Sequence, residues 1–246
     1  MQIVQPSYAP GPVAVGLDTE AGTRRAAGTA AVALAVGWLL TALMTATAIG
    51  FQVPEADELL DSVADRRELF IAANGLQITQ QLLVVPLVLG LVLAVRAADR
   101  LRTIGAGAVL LSTSVLFAGS AAVHGVLGWH VAEDWGDPRV SQAQLLHDAT
   151  RLHQIADTLF FIAVGGVAVA MFALRAPLRR ATRLPTRASD LGTAAGVCHL
   201  AQLGFFAVPA AGVLGPIGIV LQIAWFVYVG IALRRDPVPP TTEGTR

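Results

Sequence analysis

The chain has no lysine: all seventeen of its basic residues are arginine. With its wealth of alanine, glycine and valine, that predicts a GC-rich bacterial source and says nothing about activity. Cysteine is nearly absent. Cys198 stands alone in an apolar run, which excludes an intrachain disulfide and argues against a thiolate metal cluster. Charge is scarce as well, at 14% of residues, against about a quarter in soluble domains. The formal net charge is zero, so no basic field points to nucleic acid, and none is expected as a partner. No phosphate-binding glycine loop and no nucleotide-binding pattern is present, so an energised transporter would need a second chain.

What the chain does have is length without charge. Between Asp190 and Arg234 no side chain is formally charged, and Gly215-Pro216 lies near the middle of that stretch. At about 1.5 Å per residue the stretch can cross a hydrocarbon core of about 30 Å twice. It predicts helix, turn between Pro209 and Pro216, helix, with Gly212, Gly215 and Gly218 making the turn and its start. Four further runs precede it. The reading is an all-α, polytopic membrane protein, a bundle of six transmembrane helices at about 27–50, 69–95, 103–130, 152–174, 190–208 and 216–233. A β-barrel would show short alternating segments instead. Pro86 predicts a kink in the second span. Residues 1–26, with Pro6, Pro10 and Pro12, carry no secretory signal pattern and read as a flexible cytoplasmic tail; residues 236–246 read as another.

Arginine placement sets the orientation. Arg24 and Arg25 precede the first span. Arg96, Arg100 and Arg102 lie between spans two and three, and Arg175, Arg179, Arg180, Arg183 and Arg187 between spans four and five. Arg234 and Arg235 follow the last. By the positive-inside rule these segments face the cytoplasm, both termini included, and the membrane is the bacterial plasma membrane. The other connections carry an acidic excess: Glu55, Asp57, Glu58, Asp61, Asp65 and Glu68, then Glu133, Asp134, Asp137 and Asp148. Within the first of them Leu59, Leu60, Val63 and Arg67 fall at helical spacing, compatible with a helix lying on the outer surface. Ser141 could cap a short helix leading into span four. The plainer expectation for both connections is a solvated connector. Trp129 and Trp135 fit the outer interface, and Trp225 and Tyr228 the inner half of span six.

Ionisable residues inside spans are expensive and default to a functional hypothesis. Here they are His124, His153, Asp157 and His199. Counting along the spans puts His124 and Asp157 each about 9 Å below the outer surface, with His199 nearer mid-membrane. His153 and Asp157 share a helix face. Span two adds Asn74, Gln77 and Gln81 on one face, and Gln202 and Gln222 come from spans five and six. Converging, these groups would give the outer half of the bundle a polar, outward-facing pocket. Three readings stand side by side. The polar groups are interhelical glue. They form a ligand pocket or a proton-coupled path around a His–Asp pair. Or His124, His153 and His199 hold a metal or haem, though no HxxxH or HExxH pair sets their geometry. Gly165-Gly166 and the Gly192, Gly196 pair predict close helix approach.

The order of these spans resembles a group of six-helix bacterial membrane proteins defined only as a domain of unknown function. The resemblance rests on LFIAANGLQITQQLLVVPLVLGLVLAV, LHQIADTLFFIAVGGVAVAMFALR and the closing GPIGIVLQIAWFVYVGIAL, with its segment from Trp225 to Gly230. It covers about residues 27–235. The connection APLRRATRLPTRAS departs from the pattern of that group. The resemblance implies the six-helix fold and no activity. The expectation is a non-enzymatic binding, sensing or transport-related protein without a cofactor. Its partners would be the lipid bilayer and an unidentified small molecule or protein. The alternative is a membrane-embedded metal-dependent hydrolase, with His124, Asp157 and His199 as the ligand candidates.

Overall fold

The structure is a computed structural model that describes residues 12–50, 56–182, 184–206 and 212–235. Among the described residues there is no strand. The helices are α1 (Pro12–Ile49), α2 (Ala56–Asp65), α3 (Arg67–Gln80), α4 (Val84–Ala94), α5 (Arg100–Val126), α6 (Ala132–Asp134), α7 (Gln142–Arg180), α8 (Thr186–Gln202) and α9 (Leu214–Arg234). Five helical stretches among the described residues are long and apolar enough to cross a membrane: Thr19–Ile49, Arg67–Ala94, Ala97–Asp134, Gln142–Arg180 and Leu214–Arg234. The remaining expected span, 190–208, corresponds to α8, a helix of 17 residues, about 26 Å long. A 3₁₀ turn at Leu203–Phe206 prolongs it, and its expected end lies outside the described residues.

The long helices close into a ring. α1 packs on α3 and α4, these on α5, α5 on α7, α7 on α8, α8 on α9, and α9 returns to α1. Small residues set the closest approaches. A methyl group on Gly28 would lie 2.6 Å from the Gly230 carbonyl oxygen, and one on Gly230 2.8 Å from that of Gly28. The α1 and α9 backbones therefore meet glycine to glycine. Much of the outer surface is apolar: Leu82 is 73% exposed, Val115 70% and Val220 64%. A belt of that kind suits lipid and not water.

Several expectations change. Residues 12–26, read as part of a tail, belong to α1, with Pro12 at its first position, where a missing N–H is harmless. The tail segments 1–11 and 236–246, and the turn region 207–211, lie outside the described residues. Gly215 and Gly218 sit inside α9 and not in a turn. The expected kink near Pro86 takes the form of a 3₁₀ turn at Gln81–Leu83 that separates α3 from α4. Proline has no N–H to return to the Leu82 carbonyl, so the preceding turn tightens. Trp225 is fully buried against Gly192 and not at an interface.

The acidic connections are more than solvated connectors. α2 exposes Asp57, Glu58, Asp61 and Asp65 and buries Leu59, Leu60 and Val63 completely. These three join Ala48, Phe70, Leu127, Val131, Leu145 and Ala149 in a second hydrophobic cluster at one end of the ring. Trp135 Nε1 donates to Asp61 Oδ1 at 2.7 Å, Arg67 pairs with Glu133 at 3.5 Å, and Arg66 donates to the Thr47 carbonyl. α2 touches α1, α3, α6 and α7, and so lies across the helix ends as a cap. Ser141 does precede a helix, but that helix is α7 itself. It runs unbroken for 39 residues, about 58 Å, so its first turns build the cap before it enters the bundle. At the opposite, arginine-rich end, Arg180 reaches buried Asp99 at 3.1 Å and Arg179 reaches Asp190 at 2.7 Å.

Candidate functional site

Two groups of polar side chains occupy the bundle. The first lies just beneath the cap. α5 carries His124, and α7 carries His153 and Asp157 one turn apart. His124 Nε2 is 3.4 Å from His153 Nδ1, and His153 Nε2 is 3.4 Å from Asp157 Oδ2. One donor atom from each of the three lies within 4.8 Å of the others, and all three side chains are half-buried. The Phe70 ring stands edge-on to His124, with centroids 6.0 Å apart, giving the imidazole an apolar wall that belongs to the cap cluster. One residue beyond α5's end the helix widens into a π-turn, Leu127–Val131. Such turns break the regular ladder and recur at functional sites.

The second group lies deeper. His199 of α8 is buried, and its Nε2 donates to Gln222 Oε1 of α9 at 2.8 Å. A methyl on Gly218 would lie 3.0 Å from the His199 ring, so the missing side chain there makes room for the imidazole. Gln222 also lines a small cavity between the helices, with Trp38, Gln81, Thr113, Ser114 and Phe117. Its volume is about 20 Å³, enough for a single water molecule or a slender polar group. Thr113 and Ser114 give their hydroxyl protons to carbonyls of their own helix, Leu110 and Leu111, at 2.8 Å each. Among the described residues the amide nitrogen of Gln81 has no hydrogen-bond partner, nor do either amide atom of Gln80 or the Thr41 hydroxyl; all are buried.

The expected residues thus divide. His124, His153 and Asp157 meet; residue count puts His124 and Asp157 at similar heights, and helical spacing puts His153 and Asp157 on one face. His199 is not among them; it pairs with Gln222, so the three metal candidates proposed from sequence do not converge and His153 stands where His199 was expected. Asn74 is buried but donates to its own helix at Phe70 O, 2.9 Å away. Gln77 is half-buried. Gln202 is half-buried beside Gly215, where a methyl would come within 2.7 Å of it. Sequence reasoning missed Gln80, which fills the space left by Gly37 on α1, and the hydroxyls of Thr41, Thr113 and Ser114. Gln80 and Gln81 are both buried, and as polar residues inside an apolar run both can be flagged from the sequence.

No protein-family model, curated protein or solved structure matches this chain. The functional reading therefore rests on the geometry above.

Proposed function

We propose that this chain is a six-span protein of the bacterial plasma membrane, α8 and its 3₁₀ extension forming the fifth span, with both termini in the cytoplasm. On this reading it binds a small polar molecule inside the bundle and does not catalyse a reaction. The arginine distribution supports the orientation. The length of α8 and its 3₁₀ extension, about 33 Å, supports the number of spans.

One observation carries the binding role. The Gln81 amide nitrogen, beside the Gln222–His199 pair, lines the central cavity without a protein partner. Helices glued by polar residues satisfy those residues against each other. A buried polar group left unpaired costs about 1–3 kcal/mol. The cavity beside it has room for one water molecule, or for the polar end of a ligand whose remainder widens the space between the helices, to complete the bond.

The test is native mass spectrometry of the detergent-released protein, wild type beside Gln81→Leu. A small molecule that leaves with the wild type and is lost from the variant supports the reading. An empty wild type, together with a variant that melts higher, overturns it and makes the glutamine a packing defect. A reporter fused after Arg235 tests the orientation: activity only as a cytoplasmic marker is expected, and periplasmic activity contradicts it.

A second reading, a membrane-embedded metal-dependent hydrolase, draws on the His124–His153–Asp157 constellation alone. It requires a bound metal ion and turnover of an ester or phosphoester that stops when the metal is chelated.

A further inference from the structure

We propose that His124, His153 and Asp157 bind one divalent first-row transition-metal ion of the zinc class, beneath the cap where α5 meets α7, with a fourth coordination position left open. The argument begins with donor type. Two imidazoles and one carboxylate suit zinc-class ions; magnesium and calcium prefer shells built of oxygen.

Distance comes next. Metal–nitrogen and metal–oxygen bonds of about 2.0–2.2 Å place two donors on a tetrahedral ion about 3.4 Å apart. The two imidazole nitrogens already stand at 3.4 Å. One donor atom from each of the three residues lies within 4.8 Å of the others, and the Asp157 carboxylate stands 3.4 Å from His153 Nε2, the nitrogen on the far side of that ring from His124. His153 and Asp157 sit four residues apart on one face of an unbroken helix, so their relative placement is set by backbone geometry. The third donor arrives from α5, one of α7's packing neighbours in the ring.

Setting provides the third argument. The donors are half-buried and not sealed, so an ion can reach them. The Phe70 edge and the cap cluster restrict water on the side towards the cap. Three protein ligands leave one position for water or an exchangeable group, as in open zinc sites. Bound metal would also staple α5 to α7 at the level where the π-turn interrupts α5.

This inference does not depend on the central cavity. Loss of a ligand through Gln81→Leu leaves it untouched, and failure of metal binding leaves the central reading intact.

The experiment uses the full chain in detergent, stripped with a chelator and titrated with Co²⁺ followed by Zn²⁺. Expected are one ion per chain, visible absorption from low-coordinate Co²⁺ that Zn²⁺ displaces, and a higher melting temperature for the loaded form. His124→Gln and Asp157→Asn should each weaken binding at least tenfold, while the exposed histidines are dispensable in His130→Ala and His147→Ala. A wild type that takes up no ion overturns the proposal. So does binding that survives both cluster variants or vanishes with His147→Ala. Should a variant fail to fold, X-ray absorption of the loaded wild type reads the ligands directly. Nitrogen and oxygen donors with an imidazole signature at about 2.0–2.2 Å support the site, and a shell without imidazole overturns it.

Discussion

The body of the bundle and the cap are both apolar inside, yet they differ in what they turn outward. The body buries Leu34, Leu87, Leu91, Leu174 and Trp225 beside small residues such as Ala31 and Ala163, exposes Leu82, Val115 and Val220, and joins α1 to α9 through Gly28 and Gly230. The cap buries Leu59, Leu60, Val63, Leu127 and Leu145 under a face of exposed acids. The contrast follows from the two solvents of the proposed reading. Lipid tails are as apolar as leucine, so helices within them can leave large side chains outward and gain from close approach at small residues. In water, burying a branched aliphatic side chain is itself the driving force.

That contrast can be broken from the body side first. Gly230→Leu puts a large side chain where the α1 backbone lies, and overpacking of this kind destabilises by about 1–3 kcal/mol or more. The expected result is loss of a folded, monodisperse protein, read by size exclusion and melting in detergent. Gly105→Ala, where an added methyl meets nothing within 4 Å, should leave both unchanged. Equal damage from the two would sink the idea that close approach organises the body.

A cut at the cap should be large but local. Leu60 is wholly buried, and Leu→Ala at such a site costs about 2–5 kcal/mol. Because the cap is a separate cluster, Leu60→Ala should speed hydrogen exchange in α2 and the first turns of α7 while α4 and α9 stay protected. Uniform loss of protection would mean that cap and body unfold as one.

The smallest effect is expected at the exposed ion pair of the second acidic connection. Arg139 holds Asp137 through bonds of 2.6 to 3.2 Å, and this keeps the Asp137 carboxyl below the usual carboxylate range. A depressed folded value means that any stabilisation is present above the ordinary carboxylate range. It is lost as pH falls through the lowered value. The Arg139 side chain stands in solvent and that of Asp137 is half-buried, so solvent screens the pair. Arg139→Ala should therefore leave the melting temperature unchanged at neutral pH, and also under acid conditions where the pair is already gone. A clear neutral-pH loss would make the connection part of the cap.

Much of the architecture was readable in advance. Runs free of charge announced the long helices because an apolar environment excludes unpaired charge, and that rule acts on the sequence directly. The matched heights of His124 and Asp157 were also readable, since depth along a straight helix is only a count of residues. The cap was harder. Its leucines fall at helical spacing, but the same spacing serves a helix lying on a membrane surface, and periodicity cannot say what a face will meet. The partner of His199 was not readable either. Residue count puts that histidine nearer mid-membrane but names no partner; rotation of α8 about its axis, set by Gly192 and Gly196 packing on Met171 and Trp225, turns it to Gln222.

The sequence by itself therefore determined the helical class, the order of the long apolar segments and which residues would be costly to bury. These follow from one-dimensional rules: hydrophobic length, charge exclusion and residue count along a helix axis. Only the tertiary structure decided which costly residues meet. Azimuth around each helix and the order of helices in the ring depend on side-chain packing between segments far apart in the chain, where a glycine on one helix makes room for an imidazole on another.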